Sequence, residues 1–236
     1  TTKWGDIAKC DVSGVADMSH AFSKHRSAAG GAKVSDGNSA HIASFTGAGL
    51  ETWTTTSLTN MASTFSGATN MNANMANWDM SKVKTLHGTF EGASAMNADV
   101  STWEVAEVTS LSYTFHNTYA FKGIGVNTWK TGLVNDLSYA FSADIPKTVM
   151  NINFALWDVT KVTTMDKTFR NAAIFTGGGL DQWITTSVNN LQDTFSKASA
   201  MNADLGKCKS RRQRLLLLCF PARIVVSTQR CDHASL

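Results

Sequence analysis

One frame recurs down the chain: an aromatic, an apolar residue five positions on, another at eight, and a phenylalanine at twelve. Trp53, Leu58, Met61 and Phe65 form one copy, and Trp78, Val83, Leu86 and Phe90 the next. Trp103, Val108, Leu111 and Phe115 follow, then Trp129, Val134, Leu137 and Phe141. Trp157, Val162, Met165 and Phe169 precede the last full copy, Trp183, Val188, Leu191 and Phe195. Successive tryptophans lie 25, 25, 26, 28 and 26 residues apart. Extended backward, the frame puts Cys10 in the tryptophan slot, followed by Val15, Met18 and Phe22; extended forward, it lands on Cys208. The position three before the aromatic is apolar in all eight copies: Ile7, Leu50, Met75, Val100, Val126, Phe154, Leu180 and Leu205. Agreement of this kind in one register excludes chance.

The segment entering that apolar position comes in two forms. One is M-N-x-[ND], beginning at Met71, Met96, Met150 and Met201; the other is F-x-G-x-G-[LV], at Phe45 to Leu50, Phe121 to Val126 and Phe175 to Leu180. Glycine tolerates positive φ, so the longer glycine form is expected to take the same corner by a different turn. Insertions mark loops. About 17 extra residues separate Phe22 from Phe45, and a three-residue insertion around Asp144 to Thr148 contains Pro146.

Each unit of about 25 residues offers five or six apolar positions, too few to bury themselves, so neighbouring units must stack. With 236 residues, 43% hydrophobic and 17% charged, the chain has the material for one such core. The [LV]-x-x-W segment suits a short strand, and V-x-x-[LM]-x-x-x-F suits a short helical turn capped by Asp11, Asp79, Asp158 and neighbouring Ser/Thr. The expected fold class is therefore a repeat solenoid of about eight coils built from short strands plus short helical turns, α/β or mostly β. It spans residues 1–208, with an inserted loop near 24–42, and residues 209–236 form a basic, apolar C-terminal tail that acts as a cap or a docking segment.

Charge is divided unevenly. From Gly206 onward there are seven Lys/Arg and one acid, a net of +6, whereas the preceding 205 residues carry 14 basic and 17 acidic residues, a net of −3. Five of the eight residues from Lys207 to Arg214 are basic, and the apolar run Leu215 to Phe220 is too short to span a membrane. The four cysteines, Cys10, Cys208, Cys219 and Cys231, have no metal-ligand spacing. The opening Thr-Thr without a methionine is taken as the mark of a processed chain or a fragment.

Trp78-Asp79-Met80-Ser81-Lys82-Val83 and Trp157-Asp158-Val159-Thr160-Lys161-Val162-Thr163-Thr164-Met165 resemble the units of the BspA-like surface-protein repeats, a mycoplasma-type domain of unknown function. The resemblance covers roughly residues 7 to 208. It departs where Thr64, Thr89, Thr114, Thr168 and Thr194 stand in place of the family's frequent Met, and in the glycine-form copies. It implies a leucine-rich-repeat-like solenoid of bacterial cell surfaces, also found in unicellular eukaryotes and algae, that binds or scaffolds and has no catalytic residues. An extracellular, cell-surface or organelle-lumen setting, such as a plastid, is thereby favoured over the cytosol.

Several residue sets invite a functional reading. The tryptophan column could serve as a sugar-stacking platform, but six of seven in one register, with Phe65, Phe90, Phe115, Phe141, Phe169 and Phe195, read better as a buried structural ladder of Trp53, Trp78, Trp103, Trp129, Trp157 and Trp183. The Asn/Asp pairs of M-N-x-[ND] carry mostly neutral amides, which suit turn satisfaction better than Ca²⁺. The threonine column before the last Phe is a third, weaker option as an ice-binding array. The six histidines fall into no ligand spacing, and no nucleophile motif or phosphate loop is present. No catalytic residue, metal or cofactor is therefore expected, and no nucleic-acid partner. The expected function is a scaffold subunit that contacts a protein partner through its flank and tail, in a larger assembly for which membrane association is left open. The tail contacts are Lys207, Lys209, Arg211, Arg212, Arg214, Leu215, Leu216, Leu217 and Leu218, with Asp158, Lys161 and Lys167 among the variable positions. The rival expectation is a cell-surface or secreted adhesin for glycan or host protein.

Overall fold

The computed structural model describes residues 7–25 and 38–205. Its units, each named here by the residue in the tryptophan slot, lie one on the next in parallel register. Isolated parallel bridges join Asp17, Asn60, Thr85, Ser110, Asp136, Thr164 and Asn190 in sequence, one residue per unit. The expected strands and helical turns do not form. Among the described residues the regular elements are one helix, α1 (Asn38–Ser44), and the 3-10 helices Ile7–Lys9, Leu50–Thr52, Val126–Thr128 and Leu180–Gln182. No sheet is present there, and the remaining described residues are turns and irregular coil. The strand-and-helix solenoid expected from the periodicity is thus corrected to a stack of turn-built units.

The hydrogen bonds give the physical reason. In the [LV]-x-x-W segment the aromatic's N–H donates to the carbonyl three residues back, as in Trp78 to Met75 (3.0 Å) and Trp157 to Phe154 (3.0 Å). An apolar pair at i and i+3 is the spacing of a single tight turn, and a strand would need a period of two. Further along the unit the N–H groups alternate. Those at +8, +10, +12 and +14 from the aromatic reach across to the next unit, as Leu86 to Ser110, Gly88 to Ser112, Phe90 to Thr114 and Gly92 to His116 do at 2.8–3.1 Å. Those at +11, +13 and +15 fold back three residues, as Thr89 to Leu86, Glu91 to Gly88 and Ala93 to Phe90 do. Four donors thus hold neighbours together and three tighten the local turn in alternation, so neither a sheet nor a helix can propagate.

Two features enforce this alternation. The bridge residue is always polar, and its side chain accepts from the N–H two residues on: Asp17 from Ser19, Asn60 from Ala62, Thr85 from His87, Asp136 from Ser138, Asn190 from Gln192. Such side-chain bonds compete with a ladder and turn the chain. Three residues further on, at +10, the backbone is left-handed in all seven described units: His20, Ser63, Gly88, Tyr113, Tyr139, Lys167 and Asp193, with φ between 52 and 58°. Only one of these is glycine, and each of the others carries a strain of about 1–3 kcal/mol that the ladder on both sides must offset.

The apolar residues form one continuous core from Val12 to Leu205. Its spine is a column of stacked rings, Phe22, Phe65, Phe90, Phe115, Phe141, Phe169 and Phe195, with centroids 5.5–5.7 Å apart and planes within 13° of parallel. In the glycine-form units a second phenylalanine stacks on the spine: Phe45 on Phe22 at 4.6 Å, Phe121 on Phe115 at 4.1 Å, Phe175 on Phe169 at 4.4 Å. Within the long insertion, residues 26–37 lie outside the described residues. At its end α1 buries Ile42 completely, so this part of the expected loop is a packed helix.

Candidate functional site

The columns singled out by sequence are placed in the core. Every described tryptophan of the frame is buried, and its indole N–H donates to the preceding unit's carbonyl at the apolar position: Trp53 to Ile7, Trp78 to Leu50, Trp103 to Met75, Trp129 to Val100, Trp157 to Val126 and Trp183 to Phe154, at 2.8–3.2 Å. Each is a cross-unit staple with no face left for a sugar. Cys10, in the same slot of the first unit, is exposed. Thr64, Thr89, Thr114, Thr168 and Thr194 are fully buried, their hydroxyls donating to the carbonyls of residues in the +8 column, as Thr89 does to Met61 and Leu86. A buried column offers ice no surface. The first Asn of three of the four M-N segments accepts from the next unit's backbone, Asn72 from Asn97, Asn97 from Lys122 and Asn151 from Thr176. Asp158 accepts from Thr160 and is committed to its turn, whereas Lys161 is exposed. The tail candidates, Lys207 to Leu218, lie outside the described residues.

Chemistry-bearing side chains gather instead on one flank, at the left-handed column of three adjacent units. Tyr113 and Tyr139 stack at 4.4 Å with planes 10° apart, and the Lys167 ammonium lies 4.9 Å from the Tyr139 centroid. Lys167 also approaches Asp166 at 3.4 Å. His116 meets both tyrosines edge-on at 5.5 and 5.7 Å, and His87 meets Tyr113 at 6.0 Å. A left-handed φ turns each side chain of this column out of the core, and the unit repeat sets them close enough to stack. Of the variable positions, only Lys167 belongs to this group.

The environment shifts three of these groups. Burial, helped by the neighbouring Tyr139, Asp166 and Glu91, pushes the Tyr113 hydroxyl up to about 12. Burial holds His116 below its ordinary 6.5, against the opposing pull of Asp144 and Glu91. Lys167 is raised, first by its hydrogen bond to Tyr139. At neutral pH the flank therefore presents the protonated Tyr113 phenol, the Lys167 ammonium and the neutral His116 imidazole around one aromatic stack.

Beside this column sits the insertion of the Trp129 unit. Asn117 grips it through Nδ2–H to Asp144 Oδ2 (2.8 Å) and by accepting from the Asp144 N–H (2.8 Å). From the other side Asn171 donates to the carbonyls of Ala143 and Asp144 at 2.8 and 3.0 Å. Ile145, Val149 and Ile174 are each more than 40% exposed in this neighbourhood of the sequence frame. Apart from Lys167 the sequence reading missed this group, although one signal was present: all three tyrosines of the chain, Tyr113, Tyr119 and Tyr139, fall in two consecutive units. Among the described residues no three His, Cys, Asp or Glu come together as a metal site, and no helix is long and apolar enough to cross a membrane.

A stack of turn-built repeats with a polar, aromatic flank defines the class. The chain belongs to the family described as "Mycoplasma protein of unknown function, DUF285", whose model matches residues 33–148 and again 142–214. The two matches meet at the insertion that breaks the frame. No curated protein and no solved structure matches the chain.

Proposed function

We propose that this chain is a non-catalytic interaction module, a scaffold subunit that contacts a protein partner through the flank carrying Tyr113, Tyr139 and Lys167, with the basic tail as a second contact. The observation that carries the reading is the concentration of partly exposed tyrosines and charged groups on one flank of the stack. Tyrosine supplies large contact area at low entropic cost and is enriched at interface centres. The test is co-purification of the full chain from its source with its partners, compared with Tyr113→Ala/Tyr139→Ala and with deletion of Gly206 to Leu236. Retention of a larger assembly that both changes weaken supports the reading; a lone monomer indifferent to both overturns it.

A second reading is a cell-surface adhesin of the BspA-like kind, for glycan or host protein. It rests on the resemblance of the repeat frame to those surface repeats, since the matched family is itself described as of unknown function. Glycan-array binding that is lost in the Tyr113→Ala/Tyr139→Ala variant would select this reading over the scaffold.

A further inference from the structure

The network under the Trp129-unit insertion fixes the protonation state of His116. Ser142 Oγ donates to the Tyr139 carbonyl at 3.0 Å, so its contact with His116 Nδ1 at 2.8 Å is one in which the imidazole donates. Nδ1 therefore carries the proton, and Nε2 is an acceptor. The Asn117 amide is oriented as unambiguously. Its oxygen accepts from the Asp144 N–H and the Tyr119 hydroxyl, so its NH₂ faces His116 Nε2 at 3.1 Å and Asp144 Oδ2 at 2.8 Å. Every group in this arrangement is matched, donor to acceptor, only while His116 is neutral.

A second proton would go on Nε2, where it would oppose the Asn117 NH₂, donor against donor. The nearest carboxylate oxygen is Asp144 Oδ1 at 3.7 Å, just beyond hydrogen-bond reach. An imidazolium would draw that oxygen in and break the Asn117 grip on the insertion. We propose that His116 is a proton-operated latch: neutral, it holds the insertion 144–148 through Asn117; protonated, it releases Asn117, captures Asp144 and moves the insertion with Ile145 and its neighbour Val149.

The groups facing the ring come from each unit packed around it. Glu91 comes from the preceding unit, Tyr113 and Asn117 from its own, and Tyr139, Ser142 and Asp144 from the following one. Arg170, one unit further, opposes protonation, whereas Asp144 and Glu91 favour it. The His116 side chain is only 10% exposed, so burial sets its affinity for protons below the ordinary value. The latch therefore stays closed near neutrality and opens as pH falls through the imidazole's lowered midpoint. It goes beyond the binding proposal, and its test needs no partner.

The test follows ring-nitrogen NMR and amide hydrogen exchange of the full chain on either side of the His116 midpoint, located by the same NMR titration and expected below the imidazole's ordinary 6.5. Above that midpoint, the ring should show the Nδ1–H tautomer. Below it, after correction for intrinsic rates, the Asp144 amide should exchange roughly tenfold faster, the equilibrium effect of losing one hydrogen bond. Asp144→Asn, which keeps the neutral-state contacts and removes the captor, should lower the imidazole midpoint and shrink the change. His116→Gln should abolish it. An Nε2–H tautomer, an Asp144 amide indifferent to pH, or the same acceleration in Asp144→Asn would overturn the latch.

Discussion

The two corner forms solve one problem with unlike chemistry. In the glycine form, Gly125 and Gly179 stand in the left-handed region at φ 87 and 79° and start a 3-10 helix that ends on the tryptophan. In the amide form, Asn74, Asp99 and Asn153 accept from the N–H two residues on and turn the chain with a side chain instead. Both deliver a fully buried apolar residue, Val126 or Leu180 in one and Met75, Val100 or Phe154 in the other, and a tryptophan N–H aimed at the unit before. The comparison teaches that the stack constrains where a corner must arrive and leaves its route free. The two routes differ in how they fail: a backbone device has no substitute, whereas a side-chain device can be replaced by water.

The largest effect should come from Gly125→Ala. Its added Cβ would lie 2.1 Å from the Ser101 nitrogen, on a backbone at φ 87°. A cost on the order of 3–5 kcal/mol is expected, read as a fall in the chemical-denaturation midpoint. Gly14→Ala, with open space around it, should leave the midpoint where it was. Next, Trp129→Phe in a glycine-form unit and Trp157→Phe in an amide-form unit each remove an indole donor at 3.2 and 2.9 Å and leave a small void. Each should cost about 2–3 kcal/mol. Calorimetry that found one far costlier than the other would break the equivalence of the corners. Asn153→Ala removes one acceptor at 2.9 Å from the Ala155 N–H and should cost about 1 kcal/mol in the same assay.

The smallest effect is a pH dependence that only one corner can show. Ser101, through its side chain and its backbone N–H, holds the Asp99 carboxyl below its ordinary 3.8. A depressed carboxyl stabilises the fold above the unfolded value and loses that contribution as pH falls through the folded one. Acid unfolding of Asp99→Asn should therefore lack a shallow component below pH 3.8, while Asn153→Asp should add one. Identical acid limbs for wild type and Asp99→Asn would remove the carboxylate from the account.

Position in the frame was legible wherever burial dictates residue type. Phe65 through Phe195 and Trp53 through Trp183 must be large and apolar because each fills the space between two neighbours, and that requirement is written in every unit. The secondary structure was not legible. An i, i+3 pair such as Met75 and Trp78 is shared by a tight turn and one edge of a helix. The left-handed +10 position is occupied by His, Ser, Gly, Tyr, Lys and Asp, so no residue type announces it. What holds that position is the hydrogen bonding of adjacent units, a property of the stack that no single unit encodes. The flank was missed for a related reason: Tyr113 and Tyr139 are 26 residues apart, and only the stack makes them neighbours.

The +8, +10, +12 and +14 N–H groups of each described unit before the last point to its successor and find carbonyls there. Every joint is therefore the same joint, and any unit in register is a template for another. Tandem duplication of one whole repeat inserts a piece whose two faces already fit, so such a gene can lengthen or shorten by single copies without passing through an unfolded intermediate. A fractional repeat, such as the three extra residues before Met150, has to be accommodated on the outside. There it is released from the packing rules and becomes the part of the molecule that selection is free to rewrite.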